Sequence, residues 1–218
     1  MVFHITLTSK SGGMHTQYVP LEQNPIRYLK DVLDRLIRFQ RELDHGKVHP
    51  LAGAERIDVG IVRSGDYFNR TPANSSLTGT RRWASEKTAE EVLEELIHLI
   101  NPVAQSGKLE LEIRMDHERE PFEISPNDSI VEAVGKAHQH VTGQDARIVG
   151  MRIVGDANLY VHGTGVQTIY YGPSNETAHC DRENVSISRL ESAAKVYALA
   201  AMDMCGIVGK SENWKGES

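Results

Sequence analysis

Hydrophobic residues recur with two different periods in the first half of the chain. Apolar residues occupy every second position in VFHITLTS, ERIDVGIV and KLELEIRM, and a weaker segment of this kind covers residues 75–83. This period predicts strands that bury one face. Two segments between them, IRYLKDVLDRLIRFQREL and TAEEVLEELIHLI, place apolar residues on one stripe of a helix. Thr88 and Glu91 predict a capping box at the start of the second helix.

The order of these elements is strand, helix, strand, strand, helix, strand. Strands that bury one face need helices on that face only, and the other face is left to water or to a partner. We therefore predict an α+β, ferredoxin-like (βαββαβ) domain over residues 1–116.

The second half of the chain, residues 117–218, has a different pattern. Ser129 and Glu132 predict a capping box and a helix that ends near Val141. Short apolar runs at residues 148–154 and 166–171 do not alternate, so we expect strands buried on both faces. These strands are too few for a complete doubly covered sheet, and we predict an α/β fragment of a larger domain.

A last helix is predicted to begin at a capping box formed by Ser188 and Glu191 and to end before Gly206. One stripe of this helix is apolar and is expected to face the core. Its members are Leu190, Ala194, Tyr197, Ala201 and Met204.

Composition narrows the possible partners. The net charge of −6, from 24 basic and 30 acidic residues, does not favour nucleic acid, whose binding depends on neutralising phosphates. No apolar run approaches the ~18 residues of a membrane span, and the N-terminus lacks the layout of a signal peptide. With only Cys180 and Cys205 the chain is not a disulfide scaffold, so a reducing cytoplasm is expected.

His179 is a candidate metal ligand in the loop GPSNETAHCDRENVSI. Neutral imidazole suits Zn²⁺, and ligands of α/β sheets gather beyond the ends of strands. A lone loop histidine is nevertheless more often a surface residue, and one histidine cannot hold a catalytic metal. Asp181 and Glu183 lie close enough in sequence to supply further oxygen ligands, although such a short pattern recurs by chance.

Two polar segments of the first half also contain candidate residues. In SGGMHTQYVP, His15 follows two glycines and is either an exposed turn residue or a histidine aimed at a substrate carbonyl. In FNRTPANSSLTGTRRW, Arg82 could bind a carboxylate bidentately or form a surface ion pair. Asn69 is the second residue of the same segment.

These segments together resemble the acetylornithine deacetylase / succinyl-diaminopimelate desuccinylase / carboxypeptidase G family of zinc amidohydrolases. MHTQYVPLEQNPI resembles the family's H-[ST]-x-x-P-x-x-G-x-N-[AP]-I segment, and Asn69 and Arg82 stand at the separation of its N-x-x-P…G-x-x-R segment. GDANLY resembles its TDA step, with Asp156 at the acid, and TIYYGPSNETAHCDRENVSI resembles its strand–GPG–AH-x-x-x-E-x-V-x-I segment. The resemblance runs from Phe3 to Gly206.

The resemblance implies a lid and dimerisation domain followed by the C-terminal part of a catalytic domain. His179 would be one histidine ligand of a two-metal site, most often zinc, with cobalt or manganese possible. His15 would reach across a homodimer and polarise the scissile carbonyl, and Asn69 would line the same contact. Arg82 would bind the substrate's carboxylate. Asp156 would line the pocket, and Glu183 would support the metal ligand.

The family's remaining metal ligands and its general base precede the lid, and His138, His140, His162 and the Glu-Glu pairs stand in other contexts. We therefore expect a shortened chain, a misassigned start, one half of a split gene or a degenerate homologue. The parent reaction would be hydrolysis of an N-acyl amino acid or related amide, with negligible activity and weak metal affinity in this chain alone. The alternatives are a non-catalytic homodimerisation module and, less well supported, a ligand-binding regulator.

Overall fold

The computed structural model describes residues 1–84, 87–116, 119–174 and 176–207. It divides into two compact units. The first comprises Met1–Phe122 together with Arg152–Val154, and the second comprises Glu123–Met151 and the chain from Gly155 onward.

In its described residues, the first unit contains six strands and two α-helices. The strands are β1 (Val2–Thr8), β2 (Met14–His15), β3 (Arg56–Ser64), β4 (Arg70–Thr71), β5 (Asn74–Arg82) and β6 (Glu110–Asp116). The helices are α1 (Ile26–His45) and α2 (Ala89–Gly107). The longer strands form one sheet in the order β3-β5-β1-β6, and every neighbouring pair is antiparallel. The four longer strands and the two helices follow one another in the predicted order, and the two-residue strands β2 and β4 were not predicted.

The core of the first unit lies between this sheet and the two helices. Phe3, Ile5 and Leu7 alternate along β1 and are fully buried, as the strand period predicts. They pack with apolar residues of the neighbouring strand and the helices, which are Val32, Leu36, Leu77, Leu96 and Ile100. Each such side chain contributes roughly 1.5–3 kcal/mol by burial.

Two local details of the first unit matter below. The predicted capping box is confirmed, because the Thr88 hydroxyl accepts from Glu91 N–H at 3.2 Å and the Glu91 carboxylate accepts from Thr88 N–H at 2.8 Å. Gly79 on β5 lies so close to its neighbours that a Cβ there would stand 2.4 Å from Phe3 Cζ.

In its described residues, the second unit contains α3 (Ser129–Thr142), α4 (Ala157–Thr164) and α5 (Ile187–Cys205). Its small core lies between α3 and α5, and Tyr171 and Ile169 pack against it. None of the three described helices, nor those of the first unit, is long and apolar enough to cross a membrane.

The two predicted starts of helices in this unit are wrong. Asp128, not Ser129, caps α3, because its carboxylate accepts from Ile130 N–H at 3.1 Å. The last helix begins at Ile187 after Ser186. An aspartate one position earlier competes with serine as a cap, since both side chains accept from free N–H groups of the first turn. The predicted end is confirmed, because Gly206 follows Cys205 with a φ of 77°.

The two predicted strands of the second half are also wrong. Neither residues 148–154 nor residues 166–171, all of which the structure describes, form a strand. Strand hydrogen bonds need a neighbouring strand, and within the described residues these segments have none. The helix α4 lies between them instead.

The buried face of α5 differs from the predicted stripe. Ala193, Val196 and Ala200 are buried, whereas Leu190 and Tyr197 of the predicted stripe are 53% and 51% exposed. The helix therefore has two apolar faces, and α3 covers only the unpredicted one.

Candidate functional site

A short ribbon at one end of the sheet in the first unit holds the candidate residue His15. β2 pairs with β4, with Met14 opposite Thr71 and His15 opposite Arg70. The ribbon lies just beyond the β1–β5 pair, and Ser9 N–H donates to Ala73 C=O at 2.8 Å between them. Opposite residues in an antiparallel pair place their side chains on the same face. His15 and Arg70 are therefore neighbours.

The imidazole of His15 is exposed, and one of its nitrogens has a fixed role. The N–H of Gln17 donates to Nδ1 at 3.2 Å, and the ring packs near Tyr18 with centroids 5.8 Å apart. A nitrogen that accepts a hydrogen bond carries no proton, so the neutral ring has its proton on Nε2. His15 can therefore offer an N–H donor to a substrate oxygen without being charged.

Asn69 lies beside His15 although 54 positions separate them in sequence. The N–H of Thr16 donates to the carbonyl of Asn69 at 3.0 Å. His15, Asn69, Tyr67 and Arg70 line one open depression. The structure thus brings these two candidates together with an aromatic ring and a guanidinium.

Arg82 lies at the opposite end of the sheet. It ends β5, whose first residue Asn74 adjoins the ribbon. The eight steps from the first to the last of the nine residues of β5, at about 3.4 Å each, span ~27 Å. Nη1 of Arg82 donates to the carbonyl of Arg152, in the same unit, at 2.7 Å. His15 and Arg82 of one chain therefore cannot touch the same small molecule.

The neighbouring Arg81 is a residue that the sequence analysis missed. Its side chain is fully buried and forms ion pairs with Glu55 and, at 2.9 Å, with Glu95. Lys87 binds the same two carboxylates, at 3.2 and 3.0 Å. We call Glu55, Arg81, Lys87 and Glu95 the Arg81 network. The sequence did contain a sign that Arg81 is buried. Side chains alternate between the two faces of a strand, and Leu77, Gly79 and Arg81 fall on the face of β5 that the helices cover.

Electrostatics within the Arg81 network favour ionised carboxylates. Burial alone would raise the pKa of Glu55, but the hydrogen bond and charge of Arg81, followed by those of Lys87, hold that pKa below its ordinary value. Glu55 is therefore charged at neutral pH. The network joins the start of β3, the end of β5 and α2, and Arg81 Nη1 also donates to the carbonyl of Arg82 at 2.8 Å.

His179 and Glu183 occupy one exposed turn of the second unit. Thr177 closes this turn, since its hydroxyl donates to the carbonyl of Asn184 at 2.8 Å. His179 has a φ of 64°, in the left-handed region that non-glycine residues rarely adopt. The carboxylate of Glu183 accepts from the backbone N–H of His179 at 3.3 Å. Glu183 thus contacts the backbone of His179 and shapes the turn.

Asp156 lies immediately before α4. Its carbonyl accepts from the N–H groups of Leu159, at 2.9 Å, and Tyr160, at 3.2 Å. The following turn is packed closely against Tyr170, whose hydroxyl donates to Asn158 Oδ1 at 3.2 Å. Asp156 therefore starts a helix in the same unit as His179.

These residues do not by themselves make a metal site. Among the residues that the structure describes, no group of three or more His, Cys, Asp or Glu side chains is placed to hold a metal ion. A catalytic zinc normally needs about three protein ligands. His179 alone does not meet that requirement.

Comparison with known proteins shows the family to which this chain belongs. The sequence profile of peptidase family M20/M25/M40 matches residues 3–203. The chain belongs to this family. The resemblance on which the sequence analysis relied is thereby confirmed.

Relatives in the M20 family are about twice as long. A succinyl-diaminopimelate desuccinylase of Acinetobacter baylyi is 26% identical over 194 residues, which are 88% of this chain and 48% of the relative. A [LysW]-lysine/[LysW]-ornithine hydrolase of Sulfurisphaera tokodaii is 29% identical over 148 residues, 66% of this chain and 39% of the relative. The chain thus spans about half the length of the curated relatives it matches.

Solved structures show the same fold. The di-peptidase Dug1p of Saccharomyces cerevisiae has a TM-score of 0.72 at 12% identity, covering 93% of this chain and 53% of the other. Human carnosine dipeptidase 1 has a TM-score of 0.72 at 11% identity, covering 94% and 55%. An M20 family metallo-carboxypeptidase of Sulfolobus solfataricus is also similar, with a TM-score of 0.65 at 16% identity, covering 92% of this chain and 58% of the other. The α+β fold with a four-stranded antiparallel sheet is therefore an M20 fold, in a family of metal-dependent hydrolases.

Proposed function

We propose that this chain is the ferredoxin-like lid (residues 1–116) and the C-terminal catalytic part (residues 117–218) of an M20 hydrolase. The reaction would be hydrolysis of an N-acyl amino acid or a related amide or peptide. The supporting observation is the placement of His15 beside Asn69 on the ribbon, with Nδ1 of the imidazole accepting from Gln17 N–H, in a chain of this family. A neutral N–H donor there suits a carbonyl oxygen on which negative charge develops.

The ~27 Å between the ribbon and Arg82 along β5 supports a homodimer. A small substrate cannot reach both ends of one lid. If Arg82 binds the substrate's carboxylate in its own subunit, then His15 and Asn69 act in the partner subunit's site. Two copies of the chain, associated through the lid, would then make two equivalent sites.

Exposed apolar residues in the second half of the chain support a further polypeptide as a packing partner. A larger sheet would bury these residues in two ways. The two apolar segments at residues 148–154 and 166–171 would join it as strands, and the uncovered stripe of α5 would pack on its face. We propose that this polypeptide supplies the other metal ligands and the general base, while His179 supplies one ligand and Asp156 lines the pocket. The metal would be zinc, or cobalt or manganese, and free Cys180 and Cys205 suit a cytoplasmic location.

Turnover of N-acetyl amino acids tests this proposal. The purified chain is expected to show none, because a missing general base alone costs about 10²–10⁴ in rate. Where a reading frame for the rest of an M20 hydrolase precedes the Met1 codon, co-expression with its product is expected to give metal-dependent turnover. In that complex His15→Ala should lower kcat by roughly 10²–10³, whereas His98→Ala, at an exposed histidine of α2, should not. Turnover by the chain alone would contradict the expected inactivity.

A mixing experiment tests the placement of His15 and Arg82 in different subunits. His15→Ala and Arg82→Ala complexes should each be nearly inactive. Random mixing makes half of the dimers heterodimers, and each heterodimer has one intact site, so about a quarter of the wild-type activity should return. No recovery would show that both residues act within one subunit. A stable dimer without any turnover would favour the alternative, a non-catalytic dimerisation module.

A further inference from the structure

We propose that Arg70 is a specificity-determining residue that binds a carboxylate of the substrate beside the carbonyl bound by His15. This inference rests on the proposed function and adds to it a residue that selects among its substrates, by binding an acidic group close to the scissile carbonyl. Arg70 is distinct from Arg82, which lies at the other end of the sheet.

The pairing of the ribbon places Arg70 next to His15. The two residues are directly opposite each other in the β2–β4 pair. Opposite Cβ atoms in such a pair lie about 4.5–5.5 Å apart and on the same face. Both side chains also line the depression that contains Asn69. A ligand with a carbonyl and a nearby carboxylate could therefore contact both.

Two neighbours hold the guanidinium of Arg70 in place. Nη1 donates to Asp66 Oδ2 at 2.8 Å. The guanidinium also lies against Gly13, where an added Cβ would stand 2.8 Å from Nη2 and 2.9 Å from Nε. A side chain at position 13 would displace the guanidinium, so the glycine permits this placement. Pre-orientation lowers the entropic cost of binding a ligand.

The guanidinium keeps capacity for a ligand. It has five N–H donors, and within the described residues the side chain makes one hydrogen bond, to Asp66. The side chains of Arg70 and Asp66 are 49% and 64% exposed. Such a solvated pair contributes little to stability, so a carboxylate can share or replace Asp66. The planar fork of arginine matches a carboxylate in two hydrogen bonds.

Binding of succinamate to the intact chain, followed by NMR, tests the inference. Succinamate offers a carboxylate for Arg70 and an amide carbonyl for His15, and succinamide is its neutral counterpart. We expect saturable shifts of the backbone N–H signals of Gly13 and Arg70 with succinamate and none with succinamide. Arg70→Lys should weaken binding at least about tenfold, since the bidentate, charge-assisted pair is lost.

Two further variants separate placement from charge. Gly13→Ala keeps the arginine but displaces it, and it should weaken binding about as much as Arg70→Lys. Arg114→Lys changes an arginine of β6 that is similarly exposed and also paired with an aspartate, and it should leave binding unchanged. The amide spectrum of each variant shows whether it folds as the wild type does.

Either of two results would overturn the inference: no saturable binding of succinamate, or binding that Arg70→Lys leaves unchanged. These results would not affect the proposed hydrolase, which is judged by metal-dependent turnover of the co-expressed complex. Conversely, a complex that binds carboxylates through Arg70 and yet shows no turnover would contradict the proposed hydrolase function. That result would support the proposed carboxylate site at Arg70.

Discussion

Replacing Arg81 with methionine should destabilise the first unit substantially. Arg81 is fully buried and binds Glu55 and Glu95, and its guanidinium lies 5.5 Å from the centre of the Phe39 ring. Methionine keeps the length and apolar character of the arginine stem but removes the charge. The two carboxylates, whose side chains are 14% and 28% exposed, then keep Lys87 as their one ion-pair partner among the described residues.

The loss of stability in Arg81→Met can be estimated, because the substitution removes one member of a buried ion pair. Removing one member of a buried ion pair costs about 3–5 kcal/mol, because the remaining charge stays buried. Lys87 still compensates both carboxylates in part, so we expect the lower end, ~3 kcal/mol. For a unit of about 120 residues this corresponds to a fall in Tm of about 10 °C. Replacing Glu55 with methionine as well should recover part of the loss, since one uncompensated charge is then gone.

The effect should depend on pH in a defined direction. Arg81 holds the pKa of Glu55 below its ordinary value in the folded chain, even though burial opposes this. Stabilisation from a lowered pKa is complete above the ordinary pKa of glutamate and is lost as the pH falls through the folded-state pKa. The wild type should therefore lose this contribution in acid. The difference between wild type and Arg81→Met should be largest near pH 7 and smaller near pH 3.

Urea unfolding followed by circular dichroism at both pH values measures these free energies. Arg82→Met is the matched control, because Arg82 is the next residue on β5 and points to the exposed face. It should change the free energy of unfolding by less than about 0.5 kcal/mol. An equal loss of stability at pH 7 and pH 3 in Arg81→Met would refute the electrostatic explanation and assign the loss to packing of the arginine stem.

Two other substitutions test the packing and capping of the first unit by urea unfolding. Gly79→Ala should lower the free energy of unfolding by more than about 2 kcal/mol, because the added methyl would meet the ring of Phe3 at 2.4 Å. The control is Gly60→Ala on β3, where no described atom other than those of its chain neighbours lies within 4 Å of an added Cβ, and this variant should be nearly as stable as the wild type. Thr88→Ala removes the hydroxyl that accepts from Glu91 N–H and should cost about 1 kcal/mol; a wild-type stability in this variant would show that the capping box does not stabilise α2.

The fold of the first unit could be predicted because each of its elements buries one face. A strand such as β1, with Phe3, Ile5 and Leu7 inward, has an unambiguous period. The ribbon was not predicted, because strands of two residues have no period to detect. The Arg81 network was missed for a different reason: a charged residue on a buried face contradicts the hydrophobic pattern, and only its partners explain it.

The second unit was harder to predict because its apolar residues do not all have a partner within the described chain. The runs at residues 148–154 and 166–171 have the composition of buried strands, but a strand is stabilised by its neighbours. The stripe of α5 that contains Leu190 and Tyr197 was the more strongly apolar one, yet α3 covers the face with Val196. Sequence reports which surfaces are apolar, and it cannot report which of them are covered.

The candidate site was only partly accessible from sequence. His15 and Asn69 were singled out by motif, and their proximity depends on a ribbon that closes a separation of 54 residues. The roles of Asp156, His179 and Glu183 in the second unit remain predictions. The left-handed backbone of His179 and its contact with Glu183 are properties of one turn, which motif spacing does not encode.

The ribbon is attached to one end of the β1–β5 pair, and Arg82 lies at the other end. A rotation of the sheet about one of these ends therefore produces its largest displacement at the other. If the position of Arg82 is fixed, the sheet rotates about it, and the imidazole of His15 lies at the opposite end of the sheet. A tilt of about 10° over the ~27 Å length of β5 moves that imidazole by ~5 Å, several times the misplacement of about 1 Å that already slows an enzyme. A tilt of the whole sheet about Arg82 would thus move the imidazole of His15 far more than it moves Arg82.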